Sequence, residues 1–519
     1  MLNRFAISLL SLSVLGPFAV ASDPTTTLNV ASAGTIANVE AIAQSALAAV
    51  DPDDPTELDR AFVARFGKPT SRQFLALSAR DRAAFQRYFL YGRGAAVPNG
   101  EADRVPVTPN GSVGPGNPVL VYGDPVPGFP GMYNCMLANT GSGYAEFFAL
   151  QLPHTIPPGG APALVAFHAF NVSHADAVYH TNFPAECLAR NWFMIAPFGA
   201  SQTNFGSLPS QINVAAVLSW ARAMLPIDGN RIYGVGFSMG GGGCASYAAR
   251  HLDPSASMFA AIVDHTGTVS LAHAYANEST SIQLILEGWF GGSPAAQPFA
   301  YQRCSTIDID PLTEQIGVGT DMSRNLRTVH CWLADNDPQP YLPLQTHLFY
   351  DHIHAANPAD VLTIVPGNVH SWSTLDDTVA CDWLSRYTLQ ELTIGNTLAD
   401  QDGTWGRFIV QQSAPGAFTP FSWHADAPPN RLSLWATANL QRLSVNLAPL
   451  GLVYSGNLKL NMTSADGTGD QVLFLGVPHA PTAVTRNGVP NATCVYDHAA
   501  HTFLVNELSG SGALWVFTF

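Results

Sequence analysis

Residues 231–244 read Arg-Ile-Tyr-Gly-Val-Gly-Phe-Ser-Met-Gly-Gly-Gly-Gly-Cys, and no other stretch of the chain restricts its fold as strongly. The apolar run up to Val235 predicts a short buried strand, and the run from Cys244 to Arg250 is helix-forming. Between them Gly236-Phe237-Ser238-Met239-Gly240 fits the pattern G-x-S-x-G. Placed between strand and helix, that pattern specifies a strained turn that lifts a serine oxygen into a cleft. Side chains two residues either side of the serine would collide with the neighbouring strand and helix, so glycine is needed at both positions. A plain Gly/Ser-rich turn is the alternative, and the partners found downstream argue against it.

Short apolar runs at 144–152, 163–167, 192–196, 259–263, 328–333 and 361–365 alternate with helical segments such as 214–225. This pattern predicts an α/β fold with a mostly parallel sheet flanked by helices. Catalytic groups should then lie beyond the carboxyl ends of the strands. The run 328–333 leads into Ala334-Asp335-Asn336-Asp337-Pro338, and the run 361–365 into Pro366-Gly367-Asn368-Val369-His370. The resulting order, Ser238 then an Asp then His370, is one of the few in which a nucleophile, base and orienting acid are known to assemble. Asp337 is the leading acid, followed by Asp335, and Asp264 after the preceding strand is third. His347, His352 and His354 fall in a predicted helix beyond the acid loop, where a structural role is expected.

The stretch Ile227-Asp-Gly-Asn-Arg-Ile-Tyr-Gly-Val-Gly-Phe-Ser-Met-Gly-Gly, followed by Met258-Phe-Ala-Ala-Ile-Val, resembles secreted polyhydroxybutyrate depolymerases and feruloyl-type esterases. The loop Ala334-Asp-Asn-Asp337 resembles the acid loop of cutinases and polyester hydrolases, which favours Asp337 over Asp335. The resemblance covers about residues 145–390 and implies an α/β-hydrolase fold with Ser238, Asp337 and His370 as the triad. It also implies an oxyanion hole. These enzymes carry H-G-x after an early strand, where this chain has His168-Ala169-Phe170. The amides of Phe170 and Met239 would then face the developing oxyanion, and alanine in place of glycine at 169 is a departure from the pattern. Residues 271–327 form a long insertion containing Glu287-Gly-Trp-Phe-Gly-Gly292, so Trp289 is a candidate for the substrate wall. Trp372, two residues past His370, is a second candidate.

At 519 residues the chain is too long for one ordinary domain. Residues 1–21 read as a signal peptide, with Arg4, an apolar core and Ala19-Val20-Ala21. Residues 22–115 read as a helical extension and a Pro/Gly-rich linker that runs on irregularly to Pro130. Residues 116–391 form the catalytic domain and 392–519 a C-terminal β-sandwich, the latter from short strands separated by turns such as Asp466-Gly467 and Asn487-Gly488. The sandwich resembles accessory modules attached to secreted hydrolases, and a structural role is favoured for it.

A net charge of −15, with no Lys/Arg cluster, argues against nucleic acid as a partner. No later segment is apolar enough for a membrane span, so a secreted or periplasmic protein is expected. For such a compartment the seven cysteines make disulfides an expectation, with Cys244 the one left unpaired. No Cys/His spacing suggests a metal site, and no cofactor is expected.

These features imply a secreted serine carboxylic-ester hydrolase acting on a polymeric or bulky extracellular ester. Alternatives are a β-diketone hydrolase of the kind acting on oxidised polyvinyl alcohol, a serine peptidase, or a non-catalytic binding protein on the same fold. The acyl and alcohol groups and the oligomeric state are not specified by the sequence.

Overall fold

The computed structural model describes residues 118–519, apart from 127, 318–320, 340, 468 and 508–511. The expected signal peptide and helical extension lie outside the described residues. Nine strands form one sheet: β1 (Val119–Pro125), β2 (Met132–Ala138), β3 (Glu146–Gln151), β4 (Ala161–Phe167), β5 (Phe193–Pro197), β6 (Ile227–Phe237), β7 (Ala261–His265), β8 (Thr328–Ala334) and β9 (Val361–Val365). Their spatial order is β1-β2-β3-β5-β4-β6-β7-β8-β9, antiparallel through the β3–β5 pair and parallel from β5 onward. Strands β4 and β5 are buried along their whole length, as continuous apolar runs covered on both faces must be. The helices are α1 (Asp176–His180), α2 (Phe183–Arg190), α3 (Leu208–Met224), α4 (Met239–Arg250), α5 (Leu271–Asn277), α6 (Thr280–Phe290), α7 (Pro298–Cys304), α8 (Tyr341–Ala356) and α9 (Asp377–Leu384). With β6 running straight into α4 through Ser238, this is the α/β-hydrolase fold.

One departure from the sequence reading stands out. The irregular entry predicted up to Pro130 contains β1, and β2 follows at once, so the sheet begins earlier than expected. Gly128, Pro130 and Gly131 fall in the connection between the two strands, just after Pro125 ends β1. The insertion 271–327 carries three helices, α5, α6 and α7, in succession.

Residues 394–518 form two packed sheets of seven and six strands, a β-sandwich with one shared apolar core. Alternation is clean in Thr419–Asp426, where Thr419, Phe421, Trp423 and Ala425 point inward. That strand is absent from the sequence reading because Pro420 and the polar outward positions weaken its apolar signal. The sandwich core also takes in Ala249, Leu252, Met258 and Met322 from the hydrolase domain. Arg250, at the end of α4, donates to the buried Asp400 carboxylate at 2.9 Å, and Arg303 pairs with the same group. Asn325 donates to the Ala249 and Leu398 carbonyls at 2.9 Å each, stitching the domains together. The sandwich therefore packs directly behind the helix that follows Ser238.

The cysteine expectation is corrected. Cys135, Cys187, Cys244, Cys304, Cys331, Cys381 and Cys494 all carry free thiols. All but Cys494 are buried, and they fill core positions as small apolar side chains do.

Candidate active site

Ser238 adopts φ 58° and ψ −122°, a conformation that side-chain-bearing residues avoid and that here is imposed from several directions. Its N–H donates to the His265 carbonyl at 3.0 Å, and its own carbonyl accepts from Gly241 at 3.0 Å and Thr268 at 3.1 Å. A Cβ at Gly236 would fall inside the van der Waals contact distance of the Gly240 carbonyl, and one at Gly240 would strike the Phe167 and His168 carbonyls. These contacts are the physical content of the two glycines in the motif.

The carboxyl ends of β8 and β9 supply the partners. His370 Nε2 lies 2.8 Å from Ser238 Oγ, and His370 Nδ1 lies 2.8 Å from Asp337 Oδ2. Asp337 is buried, whereas the His370 side chain keeps 21% of its surface exposed toward the cleft. The other Asp337 oxygen accepts the Gln339 N–H at 2.9 Å, which fixes the carboxylate plane. With Nδ1–H donated to the acid, Nε2 is left to accept the serine proton. Asp335 does something different: it accepts from the Gly367 N–H at 2.8 Å and ties the acid loop to the histidine loop. His352 pairs with Asp321, His354 meets the Asp360 carbonyl, and His347 is exposed on α8, so none of the three approaches Ser238.

Asp264, the third candidate acid, lies behind the elbow and makes no contact with His370. It is fully buried against Gly241 and Gly267, and neither oxygen accepts a well-formed hydrogen bond. Burial pushes its carboxyl up to about 7, which the nearby Gly267 amide offsets only in part. Beside it His265 donates to or accepts from Thr374 Oγ1 at 2.6 Å. Burial, with the neighbouring His370, pushes His265 down to about 3, so the ring is neutral. The Phe237 ring lies between the two imidazoles, 4.7 Å from His265 and 4.5 Å from His370.

On the opposite side, His168 faces two carbonyls, with Nδ1 2.7 Å from Ala169 O and Nε2 2.9 Å from Phe198 O. Burial lowers its pKa, so the ring carries one proton. The ring can donate to only one of the two carbonyls, and Asn204 Nδ2 supplies Phe198 O with a second donor at 3.1 Å. A trans peptide sets C=O and N–H on opposite sides, so anchoring the Ala169 carbonyl turns the Phe170 N–H the other way. The alanine at 169 thus keeps its carbonyl against the His168 ring, 2.7 Å from Nδ1. Met239 opens α4, where the first N–H groups have no partner within the helix. The Phe170 and Met239 side chains share one apolar cluster with Phe205, Leu271, Leu286, Phe290 and Trp289.

The two tryptophans proposed from sequence diverge. Trp289 lies on α6 beside the partly exposed Tyr144, with ring centroids 5.9 Å apart, on the same side as the oxyanion loop. Trp372 is 4% exposed, packs edge-on against Phe183, and donates its indole N–H to Asp176 at 2.7 Å. It supports the site from behind instead of lining it. Asp176 and His265 are missing from the sequence reading, since no motif spacing marks them, whereas His168 is named there as the first residue of the oxyanion-loop motif. Among the described residues no group of His, Cys, Asp and Glu could hold a metal ion, and no helix is long and apolar enough to cross a membrane.

No protein-family model matches the chain, and no curated protein matches it. Solved structures similar to it include an S-formylglutathione hydrolase from Agrobacterium tumefaciens, 13% identical over 51% of this chain and 98% of that one, with a TM-score of 0.38. Acetyl xylan esterase 1 from Thermoanaerobacterium is 16% identical over 52% and 88%, also with a TM-score of 0.38. An esterase from Pyrobaculum calidifontis is 15% identical over 49% and 85%, with a TM-score of 0.35. The reading of this site rests on its own geometry.

Proposed function

We propose that the protein is a serine carboxylic-ester hydrolase working through an acyl-enzyme intermediate. The observation that carries this reading is the continuous line Ser238 Oγ, His370, Asp337, with 2.8 Å at each junction. Ser238 Oγ attacks the ester carbonyl as His370 Nε2 takes its proton, and Asp337 stabilises the imidazolium that forms. The carbonyl oxygen becomes an oxyanion facing the Phe170 and Met239 amides, each such donor being worth about 3 kcal/mol. Collapse expels the alcohol, which receives the proton from His370, and water then repeats the sequence to release the acid and regenerate Ser238.

The substrate we infer is a polymeric or bulky ester with apolar character, encountered outside the cell. Supporting this are the aromatic and aliphatic side chains around the oxyanion residues and the exposed Tyr144 against Trp289. The export-like residues 1–21 support the extracellular setting. The test is hydrolysis of p-nitrophenyl esters, from acetate to long acyl chains, by wild type and Ser238→Ala. Loss of turnover in the variant by about 10⁶-fold is the expected result. Equal rates in both proteins would remove Ser238 from the mechanism, and inactivity of both would turn attention to amide and β-diketone substrates.

A further inference from the structure

We propose that Asp176 is a positioning residue that couples the oxyanion loop to the histidine loop through Trp372. This inference rests on the ester-hydrolase reading above. Asp176 begins α1 and is 9% exposed, with no place in the triad. One of its oxygens, Oδ2, faces two loops that are distant in sequence. It accepts the Trp372 indole N–H at 2.7 Å and lies 3.5 Å from the Ala169 N–H. The other oxygen, Oδ1, is 2.8 Å from His180 Nδ1. The carboxylate is therefore oriented from one side by His180 and delivers its second oxygen to both loops.

Each loop carries part of the reaction. Ala169 precedes Phe170, whose amide would meet the oxyanion, and its carbonyl is already held by His168. With Asp176 Oδ2 3.5 Å from the Ala169 N–H, both peptide planes flanking Ala169 face polar side-chain atoms. On the other loop, Trp372 packs against Phe237 with centroids 5.4 Å apart, and Phe237 packs against the His370 ring. Removing the acceptor would release Trp372, then the Phe237 face on which His370 rests, and the Ala169 peptide at the same time. A charged acceptor is suited to this task, because hydrogen bonds to an ionised group are shorter and stronger than neutral ones. The buried indole N–H would otherwise have no partner.

The test uses the full chain and four variants: Trp372→Phe, Asp176→Ala, Asp176→Asn and the double Trp372→Phe/Asp176→Ala. Two quantities are read: the rate at which a fluorophosphonate labels Ser238, and kcat and KM for a p-nitrophenyl ester. Trp372→Phe removes the donor together with the five-membered ring of a buried side chain, so its loss is read against Asp176→Asn and the double variant, which separate the lost bond from the lost volume. We expect Trp372→Phe and Asp176→Ala each to slow labelling and kcat by about 10- to 100-fold, the scale of an ångström misplacement of reacting groups. KM should stay within about twofold, since the apolar wall is untouched. The double variant should be no slower than Asp176→Ala alone, because both changes break one link. Asp176→Asn, which keeps a carbonyl oxygen in place, should recover most of the loss.

Additive losses overturn the proposal, as does a rise in KM with kcat unchanged. Full activity in a folded Trp372→Phe protein overturns it as well. If Asp176→Ala does not fold, Trp372→Phe decides together with Asp176→Asn. Wild-type protein that neither labels nor hydrolyses esters defeats the ester-hydrolase reading and this inference with it. An active wild type beside an unaffected Trp372→Phe defeats only the coupling.

Discussion

The nucleophile elbow and the acid–histidine side of the site are held in place by different physics. The elbow is a matter of close backbone approach: Gly236 and Gly240 leave no room for a Cβ, and Ser238 is pinned in a disfavoured conformation by hydrogen bonds at its own N–H and C=O. The acid and histidine sit on two loops, 33 residues apart in sequence, joined by directional side-chain bonds. Asp337 orients His370, while Asp335 bridges to the Gly367 amide and Asp335 N–H donates to the Val365 carbonyl at 3.0 Å. Steric locking tolerates almost no substitution, whereas a hydrogen-bonded loop pair can lose one link and persist. The comparison teaches where damage should appear as lost stability and where as lost rate.

The largest separation of the two should come from Asp337→Asn. Its shape is preserved but the imidazole loses its orienting charge, so kcat should fall about 10⁴-fold with the melting temperature nearly unchanged. Steady-state kinetics and a thermal melt on the same sample read both quantities. Gly236→Ala should do the reverse in kind. Its Cβ meets backbone instead of a side chain that could rotate away. A loss of about 3 kcal/mol or more in denaturant unfolding is therefore expected, at or beyond the upper end of overpacking costs.

A subtler probe of the elbow is the buried acid behind it. Asp264 has its pKa raised from 3.8 to about 7 in the folded protein. The folded state therefore binds the proton more tightly, and this group's contribution to stability is complete below about 4 and lost as pH rises through about 7. Asp264→Asn removes that dependence. Unfolding free energies should show the variant gaining on the order of a few kcal/mol relative to wild type between pH 4 and pH 8. A parallel pH dependence in both proteins would place the ionisation elsewhere. The smallest effect belongs to Asp335→Ala, which removes the acceptor of the Gly367 N–H from an exposed loop contact. Stability should change by about 1 kcal/mol or less and kcat by only a few-fold. A loss rivalling that of Asp337→Asn would erase the distinction between the two acids.

Much of this molecule was legible before any coordinates. The elbow announces itself because its chemistry is local: strand, turn and helix are consecutive, and the two glycines are demanded by atoms within five residues or by the adjacent strand. The triad order and the ends of β8 and β9 follow from period and punctuation along the chain. The sandwich likewise shows in its alternation. Strands β1 and β2 were harder to see, since their Pro- and Gly-rich turn mimics a linker and only pairing with β3 gives them a place.

Tertiary structure alone decided the rest. That Trp372 faces Asp176, that His168 anchors the Ala169 carbonyl, and that all seven thiols are free depends on contacts between residues far apart in sequence. So does the packing of the sandwich behind α4 through Arg250 and Asp400. Sequence determines what requires only near neighbours, because backbone sterics and hydrophobic period act over a few residues. Which buried polar group meets which partner is fixed only when the packed chain removes water and each group must be satisfied by whatever lies beside it.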